Sequence, residues 1–162
     1  MKEFTSRALT NADAEIICLF PQSPEELFYM GPKFVYPLTA DQVLKMAERR
    51  SSATVIVDGE DLPVAYANLY DVNQEQSLCY LGNVIISTAY RGNGISDLLL
   101  QKMMASASGE HKLKRMRLYC HNTNTRALLF YARQGFVPCG IKVMKNYADA
   151  RVVSIEMEKH LD

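Results

Sequence analysis

The stretch from Val84 to Ser96 constrains this chain more than any other. Val84-Ile85-Ile86 is an apolar β-branched run, Thr88 to Gly94 is a glycine-containing turn, and Ile95 opens a helical pattern of apolar residues. A strand that passes through a short turn straight into a helix belongs to an α/β sheet. It also leaves the first amides of that helix without intrahelical partners, beside the positive end of the helix dipole, where a phosphate or pyrophosphate is held well. Gly92 and Gly94 take backbone conformations that other residues resist and let a ligand approach closely. On this segment alone two explanations stay open: a phosphate-binding loop, or a plain turn with glycine for steric ease.

The surrounding pattern predicts a single domain, as expected for 162 residues. Phe4 to Ala8 reads as a short strand, and Leu9 to Asp13 supplies capping residues for a helix carrying Ile16, Ile17, Leu19 and Phe20. Pro21 to Pro37 holds two proline-bounded pieces around an apolar patch, Leu27 to Met30. Thr39-x-x-Gln42 resembles a capping box ahead of a helix with Val43, Leu44, Met46 and Ala47. Ala53–Val57, Leu62–Tyr70 and Ser77–Ser87 then read as three strands joined by turns, an antiparallel meander. A helix from Ile95 to Ser108, a strand from Lys114 to Tyr119, and a helix from Thr125 to Gln134 capped by Gly135 follow. Phe136–Met144 and Val152–Met157 close the chain as an antiparallel pair, giving the order β-α-α-β-β-β-α-β-α-β-β.

Composition excludes several function classes. The 18 Lys plus Arg balance 18 Asp plus Glu, whereas a chain that coats nucleic acid carries a basic surplus. No apolar run approaches the ~20 residues of a membrane span, and Met1 to Thr5 lacks the apolar region of a secretory signal. Cys18, Cys79, Cys120 and Cys139 show no C-x-x-C pair and read as reduced, mostly buried thiols of a cytoplasmic protein. His111, His121 and His160 are equally scattered, so no metal site is expected. The run His111 to Arg117 reads as a solvated helix-to-strand edge, part of which can attract phosphate.

Three nucleotide motifs can be tested against the glycine turn. The Walker A pattern G-x-x-x-x-G-K-[ST] is absent, and a dinucleotide fingerprint fails because Asp97 occupies its third glycine position. Arg91-x-x-Gly94-x-Ser96 after an apolar strand does resemble the acetyl-CoA pyrophosphate loop of the GCN5-related N-acetyltransferase (GNAT) superfamily, [QR]-x-x-G-x-[GA], with Ser96 as a small departure and Thr88 where proline is common. Downstream, Asn124-x-x-Ala127-x-x-Phe130-Tyr131-x-x-x-Gly135-Phe136 resembles the same family's N-x-x-A-x-x-L-Y-x-x-x-G-F signature, with Phe130 for Leu. The resemblance covers roughly Ala53 to Glu158, with a weaker echo at Arg7 to Asp13.

The resemblance implies a GNAT fold: a mixed, mostly antiparallel sheet of about seven strands flanked by about four helices, with one parallel strand pair that splays apart. It implies acetyl-CoA as co-substrate, with pantetheine in the splay against the backbone of Val84, Ile85 and Ile86. The amides of Arg91, Gly92, Asn93, Gly94, Ile95 and Ser96 would hold the pyrophosphate, Asn124 would bond the pantetheine arm, and Tyr131 would act as catalytic acid near the sulfur. The implied reaction is direct acetyl transfer to the amine of a small molecule or peptide, without metal, nucleic acid or membrane; dimers are common in the family. The alternative is a GNAT-fold module that binds acyl-CoA with little catalysis. A general base is not evident: Tyr119 stands where N-terminal acetyltransferases of ribosomal proteins place a glutamate. That leaves His121, Tyr80, or a water chain to Asp71 or Glu75.

Net neutrality conceals a division. Residues 1–77 carry 6 Lys plus Arg against 12 Asp plus Glu, and residues 78–162 carry 12 against 6. The basic half contains the phosphate loop, and the acidic half supplies most of the expected acceptor side, which points toward a cationic amine.

Overall fold

A computed structural model describes residues 3–162; Met1 and Lys2, part of the segment expected to carry no signal, lie outside the described residues. Strand β1 (Thr5–Ala8) leads into three helices, α1 (Asn11–Ile17), α2 (Pro24–Met30) and α3 (Ala40–Glu48). The expected meander follows as β2 (Ser51–Val57), β3 (Pro63–Asn73) and β4 (Leu78–Ile86). Then come α4 (Ile95–Ala105), β5 (Arg115–His121), α5 (Thr125–Arg133), β6 (Val137–Lys145) and β7 (Arg151–His160). The seven strands make one sheet in the order β1-β2-β3-β4-β5-β7-β6. Every pairing is antiparallel except β4 with β5. The mixed sheet with its parallel pair is therefore the expected one.

The described residues hold five α-helices rather than about four, because the proline-bounded patch contains α2. Ser23 caps it by accepting the Glu26 N–H at 3.1 Å. Pro24 occupies the first turn, where its missing N–H costs nothing, and Glu25 and Glu26 sit against the positive end of the dipole. Elsewhere the caps match the sequence pattern in part. Thr10 and Asp13 form a full capping box on α1, and Arg7 clamps the same carboxylate at 2.6 Å. At α3 only half the box forms. Thr39 accepts the Gln42 N–H, but the Gln42 amide turns back to the backbone of Val35 and Pro37 and holds the preceding loop.

Alternation along the strands divides the core in two. Val55, Val57, Tyr66 and Ile85 face α1, α2 and α3, where Ala14, Ile17, Leu27 and Val43 cover them. Ile56, Ala65, Ala67 and Leu69 face the other way, under Ile95, Leu99 and Met103 of α4. Tyr131 and Phe136, at and after the end of α5, join that second cluster.

The sheet is not continuous along its length. β4 and β5 pair only at Leu78↔Arg115, Cys79↔Met116 and Tyr80↔Arg117. Beyond Tyr80 the strands part, although β4 runs on to Ile86 and β5 to His121. On its other edge β4 stays bonded to β3 through a bulge. Tyr66↔Ile85 and Asn68↔Gly82 set three steps on β4 against two on β3. Asn83 takes the strain with φ +50°.

Candidate active site

The splay opens into a groove of about 860 Å³, and most of the residues picked out from the sequence meet there. Val84 and Ile86 line it from β4, Arg91, Gly92, Gly94 and Ser96 from the turn and the start of α4, and Asn124 and Tyr131 from α5. Ile85, Asn93 and Ile95 do not line it. The Ile85 and Ile95 side chains are buried in the core, so only their backbones can serve a ligand.

Gly92 and Gly94 have φ of +82° and +77°, and a Cβ on either would meet nothing within 4 Å. Conformation, not crowding, demands glycine at both positions. Gly94 is the N-cap of α4 and supplies no side-chain bond. Of the six amides expected to hold a pyrophosphate, two already have backbone acceptors. The Arg91 N–H goes to Thr88 O and the Asn93 N–H to Tyr90 O, both at 3.4 Å. Among the described residues, no acceptor takes the N–H of Gly92, Gly94, Ile95 or Ser96. The Arg91 side chain reaches across to Glu26 of α2 at 2.5 Å.

The second signature is an account of how α5 begins and ends. Asn124 is its N-cap, with Oδ1 accepting the Ala127 N–H at 3.4 Å, which leaves the Nδ2 donors for the groove. At the far end Gly135, φ +95°, allows a Schellman turn: its N–H bonds Ala132 O, and the Phe136 N–H bonds Tyr131 O at 3.0 Å. Phe136 then packs its ring edge-on to Tyr131, centroids 5.7 Å apart. Tyr131 is buried, and among the described residues its hydroxyl has no hydrogen-bond partner. Burial, with a lesser contribution from Cys120, raises its pKa, so the phenol keeps its proton.

Other side chains at the splay are ones the motifs do not mark. Asn83 is buried and bonded on three sides: its Oδ1 accepts from Arg50 Nη1 at 3.0 Å and from Asn68 Nδ2 at 2.9 Å, and its Nδ2 donates to Met30 O. On β5, His121 stacks on Phe28 of α2 with centroids 4.3 Å apart. Helix α2 therefore touches both parted strands. Burial first, and Lys142 second, lowers the His121 pKa, so the ring is neutral at pH 7. His121 Nδ1 and the Ser154 hydroxyl, register partners on β5 and β7, are both buried without hydrogen-bond partners.

The candidate bases separate on chemistry. Burial and then the Glu156 carboxylate raise the pKa of both Tyr80 and Tyr119, and Tyr80 donates its proton to Glu156 at 2.8 Å. Both are poor proton acceptors. Burial works to raise the Glu156 pKa, but hydrogen bonds from Tyr119, Tyr80 and Cys139 and the charge of Arg117 outweigh it, leaving a lowered value and an ionised carboxylate. Asp71 is exposed on the groove wall, and Glu75 does not reach it. Glu26, Arg50, Asn83 and Glu156 escape a motif search because each lies outside both signatures. For Glu26 alone a local signal exists, the Ser23-Pro24-Glu25-Glu26 helix start. The basic run that leads into β5 is not free to bind phosphate throughout: Arg115 and Arg117, already within the strand, both pair with Glu158, at 3.0 and 3.1 Å. Among the described residues no cluster of three or more His, Cys, Asp or Glu can hold a metal ion, and no helix is long and apolar enough to cross a membrane.

Known structures share this architecture. A spermidine N-acetyltransferase from Vibrio cholerae, solved with CoA and spermine, superposes with a TM-score of 0.79 over 97% of this chain and 95% of its own, at 19% identity. A protein provisionally assigned as a phosphinothricin N-acetyltransferase gives 0.78 over 99% of both chains at 16% identity. No curated protein is recognisably similar in sequence. The model of the acetyltransferase (GNAT) family matches residues 17–136, which include the meander, the glycine turn, the splayed strand pair and the Asn124–Phe136 signature. By that match the chain belongs to the GNAT family of acetyltransferases.

Proposed function

We propose that this protein transfers an acetyl group from acetyl-CoA directly to a primary amine, with both substrates meeting where β4 parts from β5. The observation that carries the reading is the junction of two features in one groove: a strand edge unpaired beyond Tyr80 and a helix start with four unclaimed amides. The edge offers backbone donors and acceptors to the amides of pantetheine, as an added strand would. The amides of Gly92, Gly94, Ile95 and Ser96 face the pyrophosphate, and Asn124 donates through Nδ2 to the arm between them. The similar Vibrio cholerae enzyme was solved with CoA, which supports this choice of donor.

The chemistry follows from the groups present. An alkyl ammonium with a reference pKa of about 10.4 must first lose a proton. Asp71, exposed on the wall, takes it through water. The amine nitrogen then attacks the thioester carbonyl, and a backbone N–H of β4 near Ile86 stabilises the oxyanion. The C–N bond formed in that attack gives a tetrahedral intermediate; as it collapses the C–S bond breaks and Tyr131 gives its proton to the departing thiolate, while the second proton lost by the nitrogen passes through water and restores the phenol. Its raised pKa keeps that proton available at pH 7. A free-thiol assay over a panel of amines tests the reading: acetyl-CoA-dependent thiol release with at least one amine is expected. Failure to bind acetyl-CoA at millimolar concentration would overturn it.

A further inference from the structure

Arg50, which follows α3, differs from the other cations of the groove. Its guanidinium lies over the Tyr70 ring at 4.3 Å, and its Nη1 donates to Asn68 and Asn83, both at 3.0 Å. Of the other cations that line the groove, Arg91 has a carboxylate partner, and Lys33, Arg126, Arg133 and Lys142, which have none among the described residues, are exposed to water, whereas Arg50 is half-buried. Arg50 has no carboxylate within ion-pairing distance among the described residues, and its Nε and Nη2 protons have no acceptor there. A partly buried guanidinium so placed is costly unless something anionic completes it. The fold makes room for it. A Cβ on Gly82 would collide with Nη1 and come within 2.8 Å of the Tyr70 ring, and one on Gly31 would come within 2.6 Å of Asn83 Nδ2.

The position identifies which substrate the group serves. Gly82 lies just past Tyr80, where the strands begin to part, whereas the amide loop lies beyond Ile86. Four residues of strand put roughly 13 Å between them, so Arg50 stands away from the pyrophosphate, toward the acceptor. The three unused N–H groups form a planar fork that fits a carboxylate with two parallel bonds. Asp71 and Glu25 line the same groove and complement an ammonium. We propose that Arg50 binds the carboxylate of the acceptor, so that the substrate class is an amino acid and not a polyamine.

This assignment rests on the acetyl-transfer reading, and one set of measurements separates the two. The protein loaded with CoA is titrated calorimetrically with the twenty common L-amino acids, their α-carboxamides, spermidine and spermine. At least one amino acid is expected to bind about 10- to 100-fold more tightly than its amide, the range of a charge-assisted hydrogen bond. Arg50→Gln is expected to abolish that difference. If this variant does not fold, the acid–amide comparison on the wild type decides alone. Absence of binding by every amino acid, or equal binding of acid and amide, overturns the Arg50 assignment while acetyl-CoA binding still stands. Loss of acetyl-CoA binding itself sinks the transfer reading instead.

Discussion

Tyr131 owes its place to its neighbours in the chain. The left-handed Gly135 returns Phe136 onto the Tyr131 ring, and the ring is locked before any ligand arrives. Tyr131→Phe keeps that packing and removes only the proton, so kcat should fall about a hundredfold or more with little change in the Kd for acetyl-CoA. Single-turnover kinetics beside an equilibrium titration would separate the two, and unchanged turnover would remove Tyr131 from acid catalysis. His121 allows a prediction about stability. Its folded pKa is depressed by burial and by Lys142, whereas an unfolded histidine takes a proton near pH 6.5. Below that value the unfolded chain binds more protons than the folded one, so the unfolding free energy declines as pH falls from about 6.5. Urea midpoints at about pH 7.5 and about pH 5.5 should differ less in His121→Gln than in the wild type; further into acid, Asp13 and Glu156, whose pKa values are lowered, add losses of their own.

At the scale of elements, the turn between β4 and α4 and the helix α2 work against each other. Gly94→Ala meets no obstacle in space, so its cost is that of a left-handed Cβ, about 1–2 kcal/mol. The same substitution should weaken acetyl-CoA binding by displacing the open amides, a loss that titration would measure. Glu26 holds Arg91 at the edge of that turn. Glu26→Gln removes a negative charge beside it and frees a guanidinium, so acetyl-CoA should bind severalfold more tightly at low salt and less so at high salt. These two elements also show how differently local structure registers in a sequence. The turn is legible because phosphate binding needs glycine at fixed offsets from a strand and a helix. Helix α2 starts with a recognisable Ser-Pro-Glu-Glu cap, but its seven residues are too short for an apolar period to stand out between flanking prolines. Arg50 and Glu156 carry no signal at all, since only the pairing of β2 with β3 and of β3 with β4 brings Arg50 to the groove, and only that of β5 with β7 brings Glu156 to Tyr80 on its wall.

For the molecule as a whole, the sheet is two half-sheets joined by three residue pairs and by the side chains and helices that span the seam. Acetyl-CoA lying in the seam would tie the halves together. At a hundred times its Kd it should add about 2.7 kcal/mol, a rise in Tm of about 5–10 °C for a chain of this size, with slowed hydrogen exchange at Leu81 to Ile86. The opposite charges of the two sequence halves do not sort cleanly onto two faces, because Glu26 and Arg50 from the acidic half meet the groove beside Arg91 from the basic one. Helix α2 spans the seam at its open end: the Met30 carbonyl accepts from Asn83 of β4, while Phe28 stacks on His121 of β5. An engineer who reshaped the groove by grafting this segment from another acetyltransferase would thus be replacing a structural clip as well as a stretch of groove wall. A graft that varies positions 25, 26 and 29 but retains the ring at 28 and the carbonyl at 30 should keep the scaffold intact, whereas wholesale exchange should loosen both strands at once.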